Sequence, residues 1–264
     1  MVISIVGLLM SVIYSNINNV REKAKMTAGI QFEANVLHTI GDALVSEWKF
    51  DQHNVPSTGR TPDTSGYENT GALYGVVYKD KEGYDGKGTY LFNGDSYIGI
   101  KGFFPIINFN GLNSFTESVW INTTKDSEIQ TIIGWHSGIA WAMGTIQLKN
   151  GILEFLLKTN AFNTVSSDNK IPINKWTHIV VVFDSPNVLF YINGVLVSKK
   201  IIAEGAVNSN PLFFPRFGKK HSEPWNGFSG KIDTVRFYTT SLTAMDIRNI
   251  YAKEVNHYQD LATI

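Results

Sequence analysis

Two clusters in this sequence combine residue types that could grip a sugar. Trp135 and His136, with Trp141 close by, form one; His221, Trp225 and Asn226 form the other. A flat aromatic face packs on the C–H surface of a sugar ring, while imidazoles and amides address its hydroxyls. Trp135 and Trp141 fall at the edges of strand-like runs, where a large aromatic is more often core than platform. Trp225 sits in a polar loop and is the better candidate for exposure. Reactive groups are sparse. There is no cysteine, and the six histidines (38, 53, 136, 178, 221, 257) make no pair at metal spacing. His178 lies in the middle of an apolar run and reads as a core or edge residue. No HExxH, GxSxG or GxxxxGK[ST] motif occurs. The residues favour binding over catalysis.

The elements that must position these groups follow from composition and period. With 264 residues, 43% of them hydrophobic and 12% aromatic, the chain can bury a sizeable core. Lys plus Arg and Asp plus Glu are both 23, so the chain lacks the basic excess of a nucleic-acid binder. Residues 1–14 are apolar throughout. As a helix they reach roughly 21 Å, short of the roughly 30 Å hydrocarbon core of a bilayer. The first cations, Arg21, Lys23 and Lys25, follow the apolar run rather than precede it, which speaks against a secretory signal. Ile30, Ala34, Leu37, Gly41 and Leu44 then fall on one helical stripe. One continuous helix over 1–44 is expected, roughly 65 Å long; two helices broken near Asn16 are the alternative.

From residue 45 the period changes to two. Short runs at 45–50, 88–92, 97–100, 115–122, 131–135, 141–148, 152–157, 176–183, 189–192, 195–199, 213–217 and 230–238 read as strands. Asn193-Gly194 between two apolar runs marks a type I′ hairpin, and Asp184-Ser-Pro-Asn187 a further turn. A closing helix from Thr243 to about 254 is announced by Thr243 and Asp246, an approximate capping box. The pattern predicts an all-β, two-sheet antiparallel jelly-roll sandwich over 45–256, preceded by a long N-terminal helix and followed by a tail at 257–264.

The order of short motifs from Leu44 to Leu242 resembles the laminin G-like domains of the concanavalin A-like lectin/glucanase superfamily. Carrying it are Trp48-Lys-Phe50-Asp51, Asp63-Thr-Ser-Gly66…Asn69-Thr-Gly71, Leu91-Phe92-Asn-Gly94-Asp95-Ser-Tyr97 and Ser114-Phe115-Thr116-Glu-Ser-Val-Trp120. Trp176-Thr-His178, Leu189-Phe-Tyr191-Ile-Asn193-Gly194 and Gly230-Lys-Ile232-Asp233-Thr-Val-Arg236 complete the series. The resemblance implies that the first and last strands pair and that Trp48, Trp120 and Trp176 are packing residues. It also implies a structural calcium ion where the Asp63 loop meets the closing strand, with Asp63, Gly66, Asn69 and Asp233 around it. Calcium takes 6–8 oxygens in flexible geometry, which two carboxylates and loop carbonyls can supply. Sugar-cleaving members of the broad fold carry a Glu-x-Asp-x-x-Glu array, which is absent here.

The N-terminal part, Val2-Ile-Ser-Ile-Val-Gly-Leu-Leu followed by Asn18-Asn19-Val-Arg21-Glu-Lys23, is similar to type IV pilins and pseudopilins. Their Gly-Phe cleavage junction and following glutamate are not present in this chain. Together the resemblances imply a bacterial surface protein, anchored in the cytoplasmic membrane or a pilus by its helix, whose head binds a glycan or a cell-surface protein. Other pilins and the membrane are the partners expected of the helix. A structural pseudopilin without a soluble ligand is the alternative, and a divergent glycan hydrolase ranks below it.

Overall fold

The computed structural model describes residues 20, 21, 23, 41–51, 59–100, 109–126, 128–135, 143–208, 214–220 and 226–261, with side chains to 255. The expected N-terminal helix lies outside these residues for most of its length; positions 20, 21, 23 and 41–43 are helical. No helix among the described residues is long and apolar enough to cross a membrane.

Two antiparallel sheets of eight strands each form the sandwich. The first sheet runs β14 (Val195–Ile201), β13 (Asn187–Ile192), β12 (Thr177–Asp184), β7 (Ser114–Thr123), β16 (Ser229–Tyr238), β5 (Thr89–Asn93), β4 (Val77–Lys79). The opening strand β1 (Leu44–Trp48) also pairs with β16, so the first and last strands are neighbours, as expected. The second sheet runs β11 (Phe162–Lys170), β10 (Ile152–Lys158), β9 (Met143–Lys149), β8 (Ile129–Gly134), β15 (Arg216–Phe217), β6 (Tyr97–Ile100), β3 (Gly71–Tyr74), β2 (Arg60–Thr61).

The period of two decides what lies between the layers. From β7, Phe115, Val119 and Ile121 point inward; from β9 and β10, Ile146, Leu148, Leu153, Phe155 and Leu157 meet them. Trp48 bridges the layers, its ring edge-on to Phe217 of the second sheet at 5.0 Å and to Phe237 of the first at 5.6 Å. Such edge-to-face pairs add to the burial of area that drives the fold. At the β13–β14 hairpin, Asn193 and Gly194 adopt φ of 50° and 76°, the type I′ geometry their identities predict.

The closing helix, α1 (Ala244–Leu261), begins at the expected box: Asp246 Oδ2 accepts the Thr243 N–H at 2.8 Å, and Thr243 Oγ1 accepts the Asp246 N–H at 3.2 Å. It runs past 254, so residues to 261 are helix and not tail. Ile247, Tyr251 and Glu254 recur at helical spacing on the side that meets the outer face of the first sheet. Tyr251 packs on Trp120 at 5.8 Å, and a side-chain carbon at Gly194 would lie 3.0 Å from its ring.

Candidate functional site

Of the four residues expected to hold calcium, Asp63, Gly66 and Asn69 share one loop, and Asp233 bonds to other partners. The carboxylate of Asp63 is filled by the protein's own amides. Its Oδ1 accepts the N–H groups of Glu47 at 2.9 Å and Ser65 at 2.8 Å; its Oδ2 accepts Asn69 N–H at 3.0 Å and Asn69 Nδ2 at 3.1 Å. Asn69 also donates to Ser46 Oγ at 2.8 Å, and its carbonyl accepts the Trp48 indole at 2.8 Å. Gly66, at φ 96°, turns this loop. The loop is therefore cinched to β1, at a strand position that pairs Glu47 with Arg236. Asp233 sits further along β16, beyond a bulge, opposite Trp120 where Arg236 is opposite Ser118, about 7 Å along the strand direction. There its Oδ1 accepts Thr234 N–H at 2.8 Å and its Oδ2 accepts Tyr84 N–H at 3.3 Å. Each carboxylate is thus occupied by amides of its own neighbourhood, and no group of three or more His, Cys, Asp or Glu among the described residues is placed to hold a metal.

Asp233 has other company. Burial first, then the nearby Asp85 and Asp51, push its carboxyl well above the ordinary range. Lys87 Nζ bridges those two acids, 3.1 Å from Asp51 and 2.9 Å from Asp85. They line a cleft of about 220 Å³ with Lys49, Tyr84, Arg236 and Glu254. A bulge opposite Val119 brings Asp233 and Arg236 out on the same face of β16, although they are three positions apart.

Beneath α1 lies a buried polar layer that sequence reasoning missed. Arg236 Nε donates to Glu47 Oε1 at 2.7 Å, and its Nη1 donates to Glu254. The other Glu254 oxygen accepts the Trp120 indole at 2.7 Å. His178 is fully buried, 2.8 Å from Ser118 Oγ through Nε2, and stacks on Trp120 at 5.0 Å. Tyr84 covers the other side of Trp120, with ring centroids 4.2 Å apart. Trp120 is thus packed, as expected, but between sheet and helix. Trp176, expected as packing, is only half-buried.

The expected ligand-binding residues are distributed differently. Trp135 is 0% exposed, and its indole donates to Glu117 Oε1 at 2.6 Å inside the sandwich; it is core and not a sugar platform. Glu117 shares the inward parity of Phe115 and Val119, and burial raises its carboxyl well above the usual range. Asn226 contributes through its backbone, its carbonyl accepting Thr131 N–H at 2.8 Å. His136, His221 and Trp225 lie outside the described residues.

A different aromatic group stands on the outer face of the second sheet. Register pairs Tyr74 with Tyr97, Ala72 with Gly99 and Gly99 with Arg216. Tyr74 and Tyr97 stack with centroids 4.4 Å apart and planes 15° apart. The Arg216 guanidinium lies 4.4 Å from the Tyr97 centroid. Two groups this close cannot share one ring face, so Tyr97 is sandwiched: Tyr74 on one side, Arg216 on the other. Both rings lean over Gly99, approaching to 3.4 and 3.5 Å the point where a side-chain carbon would sit. Tyr74 is 38% exposed. Arg216 is half-buried; desolvation pulls its pKa down, and the two tyrosines partly oppose that. Further along this face Glu154 accepts Gln147 Nε2 at 2.8 Å and faces Lys149 at 3.7 Å.

Comparison with known proteins places this architecture. Residues 92–248 match the model of the concanavalin A-like lectin/glucanases superfamily. No curated protein matches in sequence. Among solved structures, the binding domain of Paraclostridial Mosquitocidal Protein 1 superposes with a TM-score of 0.63 at 22% identity, over 81% of this chain and 53% of that one. The binding domain of botulinum neurotoxin DC, in complex with rat synaptotagmin II, gives 0.61 at 18% identity, over 81% and 52%. A structure of botulinum neurotoxin type C, whose cell entry depends on two ganglioside molecules, gives 0.57 at 17%, over 83% and 53%. The chain spans about half the length of these solved chains, and at such identities they show the fold alone. With more than half of its length covered by the family model, and the paired first and last strands and two-layer core in place, the chain belongs to the concanavalin A-like lectin/glucanase superfamily.

Proposed function

We propose that this domain is a recognition module that binds glycans on the outer face of its second sheet. The Tyr74–Tyr97–Arg216 stack carries the reading. It offers an exposed aromatic surface at one end and a guanidinium at the other, held on three paired strands rather than on loops. Aromatic surface beside fixed polar donors is the recurring chemistry of sugar sites. The similar binding domains, one dependent on gangliosides and one bound to synaptotagmin, support a ligand of the cell surface. A glycan array probed with the wild-type chain and with Tyr97→Ala tests it. A restricted set of hits lost in the variant is expected; an array without hits, or hits that survive in Tyr97→Ala, refutes the assignment.

A second reading is favoured by one sequence feature. The apolar run 1–14 followed by Arg21, Lys23 and Lys25 supports attachment of the head to a membrane or a pilin-like filament. Fractionation of cells expressing the chain with and without residues 1–40 tests this: the longer form should sediment with membranes and the shorter should not.

A further inference from the structure

We infer that the sugar read by this stack is acidic, its carboxylate held by Arg216, an inference that rests on the glycan-binding reading above. A guanidinium carries five N–H donors in a rigid plane. Arg216 holds its guanidinium carbon over the Tyr97 ring, 4.4 Å from the centroid, and the ring offers those donors no carboxylate. No described residue pairs with it as a carboxylate or accepts a hydrogen bond from it. Its charged surroundings are positive or neutralised. Arg60 ends the same cross-strand row, Arg60–Ala72–Gly99–Arg216, with only small side chains between the two cations. Lys219 lies three positions on and faces Asp95 at 3.5 Å. Among the described strand residues of this face, the acid on the β8 side, Glu154, is three strands away, roughly 14 Å by strand spacing, and already meets Lys149 and Gln147.

An arginine that merely filled space would ordinarily lie along apolar surface with its head in water or against an acid. Here the head is half-buried, set over an aromatic ring, and without an acid among the described residues. A planar carboxylate is the anion that matches a fork of parallel N–H groups, and a charge-assisted pair of this kind is stronger than a neutral hydrogen bond. A second sugar, placed toward Tyr74, would meet the exposed ring.

The test uses two matched pairs of probes and the full chain. One pair is tetragalacturonate and its methyl ester; the other is sialyllactose and lactose. At low ionic strength, at least one acidic probe should bind about 10-fold or more tightly than its neutral partner, the order expected of one charge-assisted bidentate contact. The gap should narrow as salt is added. Arg216→Lys should shrink it several-fold, and Arg216→Gln should abolish it. Thermal melts of both variants show that the fold is kept. Equal binding of acid and neutral forms by the wild type overturns the acidic assignment and leaves the glycan reading standing. Undiminished acid preference in Arg216→Gln also overturns it. Binding to none of the four probes defeats the glycan reading and this inference together.

Discussion

Arg236 of the last strand and Glu254 of the closing helix form an ion pair buried at the base of α1, with Glu47 on the other flank of the guanidinium at 2.7 Å. Burial alone would raise the Glu254 carboxyl. Arg236, His178 and the Trp120 indole outweigh it and hold it below the ordinary range. Both side chains are largely shielded, 12% and 10% exposed, so removing one partner strands a charge. Glu254→Ala should therefore cost about 3 kcal/mol, measured by denaturant midpoint, and should expose α1 to limited proteolysis before the sandwich itself is cut. Because the folded-state pKa is depressed, this contribution is complete above the unfolded value of 4.5 and fades as pH falls through the folded value.

His178 adds to acid sensitivity with the same sign. It is buried among Trp120, Tyr251, Ser118, Arg236 and Glu254, and its Nδ1 has no hydrogen-bond partner. Desolvation, against the attraction of Glu254, pulls its pKa from 6.5 to about 4. The unfolded chain thus takes up a proton near pH 6.5 that the folded chain refuses, and stability declines between pH 6.5 and about 4. A shift of this size corresponds to about 3 kcal/mol. Denaturation curves at a series of pH values should show this slope in the wild type and a flatter one in His178→Gln. Equal slopes would sink the assignment.

How much of this could be read beforehand depends on which interaction set each position. Strand positions, the I′ hairpin and the helix cap were legible because local chemistry decides them. Strands β2, β3 and β4, of two, four and three residues, were too short to show a period, and β11 (FNTVSSDNK), an edge strand mostly exposed or half-buried, has no apolar alternation to mark it. Glu117 was in principle visible, since it shares parity with Phe115, Val119 and Ile121. Glu254 was hidden by its own helical stripe, where an acid reads as solvent-facing until Arg236 arrives from the neighbouring strand. The Tyr74–Tyr97–Arg216 stack needed two antiparallel registers, β3 on β6 and β6 on β15, before its members could meet.

The Asp63 loop makes a separable claim about what holds it. Four N–H donors converge on one half-buried carboxylate. Asp63→Ala leaves them without an acceptor and should cost about 2 kcal/mol, read as a lower melting midpoint. Since the donors belong to the protein, the loss should be the same with and without a calcium chelator. A loss that disappears when the wild type is chelated would instead place a cation in this loop.

Glu117 is a carboxyl kept inside the core with one oxygen bonded to Trp135 and the other without a hydrogen-bond partner. Burial raises its pKa well above 4.5, so the folded state holds a proton that the unfolded state releases. Stability contributed by the protonated form is complete at acid pH and declines as pH rises through the folded value. Glu117→Gln keeps an acceptor for the indole and removes the titration. The variant should match the wild type near pH 4 and melt higher at pH 8. A variant that is less stable at both pH values would show that the carboxyl is needed for its shape alone.

Gly99 provides a way to disturb the proposed sugar surface without touching any residue meant to contact sugar. Its φ lies outside the left-handed region, so a side chain is tolerated by the backbone, and a β-branched residue suits a strand. A first carbon would sit at ordinary contact distance, 3.4 Å from Tyr74 and 3.5 Å from Tyr97. The two further methyls of valine have no room unless the rings move. Gly99→Val should therefore splay the Tyr74–Tyr97 stack and loosen the seat of Arg216, lowering affinity for the preferred glycan about 10-fold, or about 1.4 kcal/mol. The melting midpoint should change little, because the stack lies outside the core between the sheets. Affinity unchanged in Gly99→Val would show that the ligand surface lies elsewhere on the sandwich, whereas a collapse of both affinity and midpoint would show that the stack is part of what holds the second sheet together.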